Sequence, residues 1–189
     1  MAALLPVETE RLTLRQLVPE DLDALHAYHR LEEVARYQFW SERSREELKA
    51  RLAEWIEMDG SEGANGKLCL ACVRESDGQL IGDLFLGVSD REARQGEIGY
   101  SFNPAFHRQG FGSEAVSRLL TLGFDVQGLH RIIGRCDARN TASWKLLEKL
   151  GMRREAHFRE HAIFKGEWDE EFYYAILEDE WRARQKAHA

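Results

Sequence analysis

Gly96-Glu97-Ile98-Gly99-Tyr100-Ser101-Phe102-Asn103-Pro104, then Ala105-Phe106-His107-Arg108-Gln109-Gly110-Phe111-Gly112, then Ser113-Glu114-Ala115-Val116-Ser117-Arg118-Leu119-Leu120: this stretch, running on to Val126, decides the fold. Ile98, Tyr100 and Phe102 alternate with Glu97, Gly99 and Ser101, which is the two-residue period of a strand. Pro104 has no N–H to give a ladder, so the strand ends near it. Val116, Leu119, Leu120 and Phe124 then recur at helical spacing, which predicts a helix from about Gly112. A strand, a glycine loop and a helix N-terminus together make an anion site. The first N–H groups of a helix have no partner within it, and the dipole makes that end electropositive. Gly110 and Gly112 let a phosphate approach the main chain, and His107, Arg108 and Gln109 add donors.

Two phosphate loops compete for this reading. A triphosphate loop needs Gly-Lys-Ser/Thr, and no lysine follows either glycine. A dinucleotide fingerprint, Gly-x-Gly-x-x-Gly/Ala, is matched by Gly110 to Ala115. The motif by itself therefore leaves a nicotinamide-dependent oxidoreductase open. Element order speaks against it, because that fingerprint belongs to the first strand-to-helix turn of a repeating unit. Here it falls past the midpoint, and one further strand-helix unit follows.

The stretch resembles motif A of the GNAT superfamily of acyl-CoA-dependent N-acyltransferases, whose loop of the type Gln/Arg-x-x-Gly-x-Gly/Ala grips the coenzyme A pyrophosphate. His107 stands at the Gln/Arg position, with Arg108 after it. A second stretch, Asn140-Thr141-Ala142-Ser143 followed by Glu148-Lys149-Leu150-Gly151, resembles motif B of the RimJ/RimL-like branch. The resemblance implies acetyl-CoA as cosubstrate, with no metal, and a coenzyme site at Phe102, His107, Arg108, Gln109, Gly110, Phe111, Gly112, Ser113 and Asn140. It further implies Ser143 near the thioester sulfur. Many members carry a tyrosine acid seven residues after that asparagine. Leu147 stands there instead, so the acid role passes to Ser143. Glu97 is the candidate general base, with Glu160 and Asp169 as acids that could reach in from a hairpin. The hairpin glutamate that some RimL-like enzymes use as a base aligns with Ala162, which closes that route. The missing tyrosine and glutamate keep a catalytically silent coenzyme A-binding module as an alternative.

At 189 residues the chain reads as a single domain large enough for its own core. Its 43% hydrophobic and 31% charged residues are ordinary for a globular protein. A net charge of −7 argues against a nucleic-acid partner and suits a cationic one. Three cysteines without a signal peptide point to a reducing, cytoplasmic setting, and no run is long enough to span a membrane. The partner is then an amine acceptor, either a small molecule or a protein N-terminus, and a homodimer is the assembly considered.

Strands are expected at 11–17, 67–74, 79–88, 97–102, 131–136, 157–164 and 168–177. Helices are expected after Pro19, from a Ser44–Glu47 capping box, from Gly112 and from Asn140 to Gly151. Asp59 to Gly66 reads as a polar loop, and the charged tail after Glu178 as frayed. With the resemblance, this is an α+β GNAT fold: a mixed, mostly antiparallel seven-stranded sheet flanked by about four helices. Cys69-Leu70-Ala71-Cys72 matches Cys-x-x-Cys, yet on a strand the two thiols face opposite ways. His157 and His161 share a strand face but lie roughly 13 Å apart, too far for one metal ion. The acids Glu167, Asp169, Glu170 and Glu171 read as a solvated hairpin or as the lining of a site for a cation.

Overall fold

A computed structural model describes residues 5–61 and 66–188; half of the loop expected at 59–66 lies outside them. The sheet has eight strands: β1 (Val7–Glu8), β2 (Leu12–Gln16), β3 (Leu68–Arg74), β4 (Leu80–Asp90), β5 (Gln95–Phe102), β6 (Arg131–Asp137), β7 (Arg153–Phe164) and β8 (Glu167–Leu177). Their spatial order is β1-β2-β3-β4-β5-β6-β8-β7, and the β5–β6 pair alone is parallel among these. A dinucleotide fold would instead be mostly parallel. Among the described residues six α-helices accompany the sheet: α1 (Leu22–His29), α2 (Glu32–Ala35), α3 (Arg45–Ile56), α4 (Phe111–Thr121), α5 (Thr141–Lys149) and α6 (Glu178–His188).

The expected count of seven strands and about four helices therefore falls short by β1, α2 and α6. β1 and α2 have two and four residues, too few to display a period. The tail expected to fray is helix α6 instead. Its hydrophobic anchor is Trp181, 3% exposed and stacked on Phe124 with ring centroids 6.3 Å apart. A single aromatic in a charged segment gives no readable amphipathic face, yet it docks the helix.

Alternation along each strand sends side chains to two cores. Leu70, Leu84, Leu86, Ile98 and Ile132 face α4 and α5, where Phe111, Ala115, Val116, Leu119 and Leu147 meet them. Cys69 and Ala71 face α1 and α3, against Leu25, Tyr28, Leu48 and Trp55. Cys69 and Cys72 accordingly lie in different cores, and burial raises both thiols, Cys72 to about 12. Ser44 caps α3 as expected, its Oγ accepting the Glu47 N–H while Glu47 Oε2 accepts the Ser44 N–H at 2.8 Å. Gly134 brings α5 close to β6, since a Cβ there would meet Leu147 Cδ2 at 3.1 Å. Among the described residues no helix is long and apolar enough to cross a membrane.

If Trp181 anchors α6, Trp181→Ala should cost about 3–5 kcal/mol in a denaturant melt, the range for emptying a large aromatic site. A frayed tail would leave the midpoint unchanged.

Candidate active site

The parallel ladder between β5 and β6 runs from Gln95↔Arg131 to Ile98↔Gly134 and stops. From Gly99 to Phe102, the β6-facing edge of β5 has no strand partner, although β4 still pairs with the other edge. The two strands part there, and a cavity of about 300 Å³ opens through the sheet. One wall belongs to the α4/α5 side: Ile98, Tyr100, Asn140, Ser143 and Leu147. The opposite wall belongs to the α1/α3 side: Asp83, Phe85, Glu97 and Arg135, with Tyr37, Phe39, Trp40 and Trp55 over it.

On the α4 side the glycine loop is built as its sequence requires. Gly110 is the α4 N-cap with φ 87°, a left-handed conformation that a side chain would strain, and no side chain caps the helix. The first α4 bond inward runs from Glu114 N–H to the Gly110 carbonyl. The N–H groups of Phe111, Gly112 and Ser113 precede it, as orphan helix-terminal donors do. His107, Arg108, Gln109 and Gly110 are exposed, and Arg108 holds φ 60°. The His107 ring nitrogen lies 3.1 Å from the Phe102 carbonyl oxygen, which ties the loop to the end of β5. Arg11 carries no local motif that would mark it. From just before β2 it donates to the Gln109 carbonyl at 3.0 Å and stacks on Phe111 at 4.6 Å. It also pairs with Glu114 at 2.7 Å. The one acid in the first turn of α4 is thereby neutralised. Burial would raise its pKa, but the bonds from Thr9 and Arg11 hold it below the usual carboxylate range.

Asn140 caps α5, its Oδ1 accepting the Ser143 N–H at 3.1 Å. Ser143 Oγ lies 2.9 Å from the Tyr100 hydroxyl. Burial pushes the Tyr100 phenol well up, so it carries its proton at neutral pH. Burial likewise pushes Cys136 up to about 11. Strand β5, not helix α5, thus brings a tyrosine hydroxyl to Ser143. Period alone reads Tyr100 as part of an apolar face, and its hydroxyl was the overlooked signal.

On the far side Glu97 Oε1 accepts from Arg135 Nε at 2.8 Å, so one of the two carboxylate oxygens is engaged. Glu97 pairs in register with Ile133, which makes Arg135 its diagonal neighbour on the same face. Asp83 went unnoticed in the sequence, although an acid inside the apolar run of a central strand was a signal. It is 9% exposed, and its Oδ1 accepts from the Tyr28 hydroxyl at 2.6 Å and from His29 Nε2 at 2.8 Å. Arg43, which can only donate, lies 3.3 Å from His29 Nδ1, so the ring proton sits on Nε2. Of the hairpin acids, Glu160 is exposed at φ 50°, and Asp169 Oδ1 is occupied by the Ala162 N–H at 3.0 Å and by His161 at 3.1 Å. His157 binds Glu170 instead at 2.8 Å, so the two histidines have separate partners. Among the described residues no group of three or more His, Cys, Asp and Glu side chains could hold a metal ion.

An uncapped, basic helix terminus thus lies beside a slot that opens where β5 and β6 part. The model for the GNAT acetyltransferase domain matches residues 11–153. The uncharacterized N-acetyltransferase YnaD of Bacillus subtilis is 34% identical over 175 residues, spanning 93% of this chain and 98% of that protein. The crystal structure of a GNAT-family acetyltransferase from Bacillus anthracis superposes with a TM-score of 0.81 at 32% identity, covering 92% of this chain and 98% of the other. The alanine N-acetyltransferase for ribosomal protein uS5 of Escherichia coli is a more distant relative, 25% identical over 84 residues, 44% of this chain and 43% of that protein. The chain belongs to the GNAT acetyltransferase family, and it is an acetyl-CoA-dependent N-acetyltransferase.

A contact to phosphate is made equally in the ground and transition states. Arg108→Ala should therefore raise the KM for acetyl-CoA about tenfold, the worth of a charge-assisted bond, with kcat nearly kept. An unchanged KM would assign the phosphate to other donors, Arg11 first.

Proposed function

We propose that the acetyl group passes to an acceptor amine inside the slot where β5 and β6 part, with the coenzyme entering from the α4/α5 side and the amine from the α1/α3 side. The observation that carries this reading is the end of the ladder at Ile98↔Gly134, which leaves one cavity with walls from both faces of the sheet. The coenzyme pyrophosphate sits on the amides from Arg108 to Ser113, with His107 and Gln109 beside it. The pantetheine runs along the free edge of β5 near Phe102, toward Asn140. Edge amides with no strand partner supply hydrogen bonds of the kind a neighbouring strand would otherwise make.

The acceptor, a small molecule or a protein N-terminus, is mostly an ammonium at neutral pH. Its proton passes to the second carboxylate oxygen of Glu97, directly or through a water, and Arg135 holds that side chain in place. The free amine nitrogen bonds to the thioester carbonyl carbon. A backbone N–H that meets the resulting oxyanion is worth about 3–4 kcal/mol. Collapse breaks the carbon–sulfur bond. The leaving thiolate takes a proton from Ser143 Oγ, which takes one in turn from the Tyr100 hydroxyl at 2.9 Å, and the second proton shed by the acetylated nitrogen returns to Tyr100 through water. The pair thus does what Ser143 was expected to do alone. We place the protein in the cytoplasm, where the unpaired Cys69, Cys72 and Cys136 stay reduced.

Release of free thiol from acetyl-CoA upon adding a primary amine tests the reading. Glu97→Gln should lower kcat by roughly 10²–10⁴ at neutral pH, the usual worth of a positioned base. The deficit should shrink as the pH approaches the acceptor's own pKa, where the amine deprotonates unaided. Wild-type kcat in this variant at neutral pH would remove Glu97 from the reaction.

A further inference from the structure

A second recess opens beside the slot and shares Tyr37, Phe39 and Asp137 with it. Its volume of about 20 Å³ has room for one water-sized group. Tyr37, Phe39 and Phe164 wall it, the two phenylalanines meeting edge to face at 5.9 Å. Asp137, Asp169, Glu170 and Glu171 line the rest. Three of these four acids have close partners. Asp137 takes Arg139 at 2.7 Å, Glu170 takes His157 at 2.8 Å, and Asp169 takes the Ala162 N–H at 3.0 Å.

Glu171 differs. Its residue is 5% exposed, and no described residue gives its carboxylate a hydrogen bond. The nearest cationic groups stand off, with His161 Nε2 at 3.6 Å and Arg135 Nη1 at 3.8 Å. Burial raises its pKa against the pull of Arg135 and His161. A nearly buried carboxylate held only by long ion pairs has lone pairs to spare, and an entering ammonium brings three donors in a volume close to that of water. The aromatic lining of Tyr37, Phe39 and Phe164 suits the same charge. Arg135 links this recess to the reacting centre, since its Nε holds Glu97 at 2.8 Å while its Nη1 approaches Glu171.

We propose that the recess binds a second, distal ammonium of the acceptor, so that the preferred substrates are alkyl diamines or longer dicationic amines. The proposal rests on the slot being the acetyl-transfer site, and its test separates the two.

The probes are 1,5-diaminopentane and pentylamine, alike except for the second charge. Calorimetry without acetyl-CoA reads binding, and thiol release with acetyl-CoA reads transfer. The diamine should bind the wild type about tenfold tighter or more than the monoamine. That ratio should fall toward one in Glu171→Gln, whatever the substitution does to the monoamine itself. Phe39→Ala keeps the test open if the first variant folds poorly: Phe39 is 70% exposed, so its loss should spare the fold while narrowing the same ratio. A merely structural Glu171 would move both probes together and leave the ratio intact. Equal affinities in the wild type, or a ratio that survives Glu171→Gln, would overturn the recess. A Glu171-dependent ratio in binding, with no acetyl transfer to either amine, would uphold the recess and overturn the transfer reading.

Discussion

The end of hydrogen bonding between β5 and β6 is the constraint on which the rest depends. A parallel pair in mid-sheet would ordinarily continue its ladder, because backbone groups left unpaired inside a protein are expensive. Here pairing ends at Ile98↔Gly134, and the β5 edge from Gly99 to Phe102 has no strand partner on that side. Two features maintain the opening. Pro104 follows within two residues and cannot donate to a ladder, and the chain then turns through the glycine loop into α4. On the other side Gly134 lets α5 settle against β6, which sets Asn140 and Ser143 at the gap.

A slot through a sheet separates two chemistries that would interfere on one face. The coenzyme side offers uncapped amides, with its first-turn acid cancelled by Arg11 at 2.7 Å. The opposite side carries the carboxylates Asp83, Glu97 and Glu171, each held differently. Asp83 is fixed by Tyr28 and His29, Glu97 by Arg135 at one oxygen, and Glu171 by ion pairs too long to be hydrogen bonds. In the proposed reaction an anionic cosubstrate and a cationic acceptor meet from opposite faces, each drawn by the charge on its own side.

Much of this was legible because the informative residues are local. Gly110, Gly112 and the apolar spacing of α4 lie within a dozen positions, and so does the Asn140 cap with Ser143. What stayed hidden depends on register and on distant docking. Arg11 meets Glu114 from more than a hundred residues away. The partnership of Glu97 with Arg135 follows from the pairing of Glu97 with Ile133, which no single strand reveals. Tyr100 was visible as a strand aromatic, yet its bond to Ser143 requires knowing that α5 crosses the gap. The acids of β8 read as a solvated hairpin or as the lining of a cation site, and only the pairing of Asp137 with Glu171 shows the latter set inside the sheet. Trp181 shows the same limit at the C-terminus, where one buried ring outweighs a charged sequence.

Amide hydrogen exchange upon addition of acetyl-CoA tests the central claim most directly, because the account assigns the coenzyme to named backbone groups. Exchange should slow at the α4 N-terminus, Phe111 to Ser113, and along β5 from Gly99 to Phe102, with β1 to β3 unaffected. Protection confined to other elements, or equal protection by NAD, would contradict the slot as the coenzyme site.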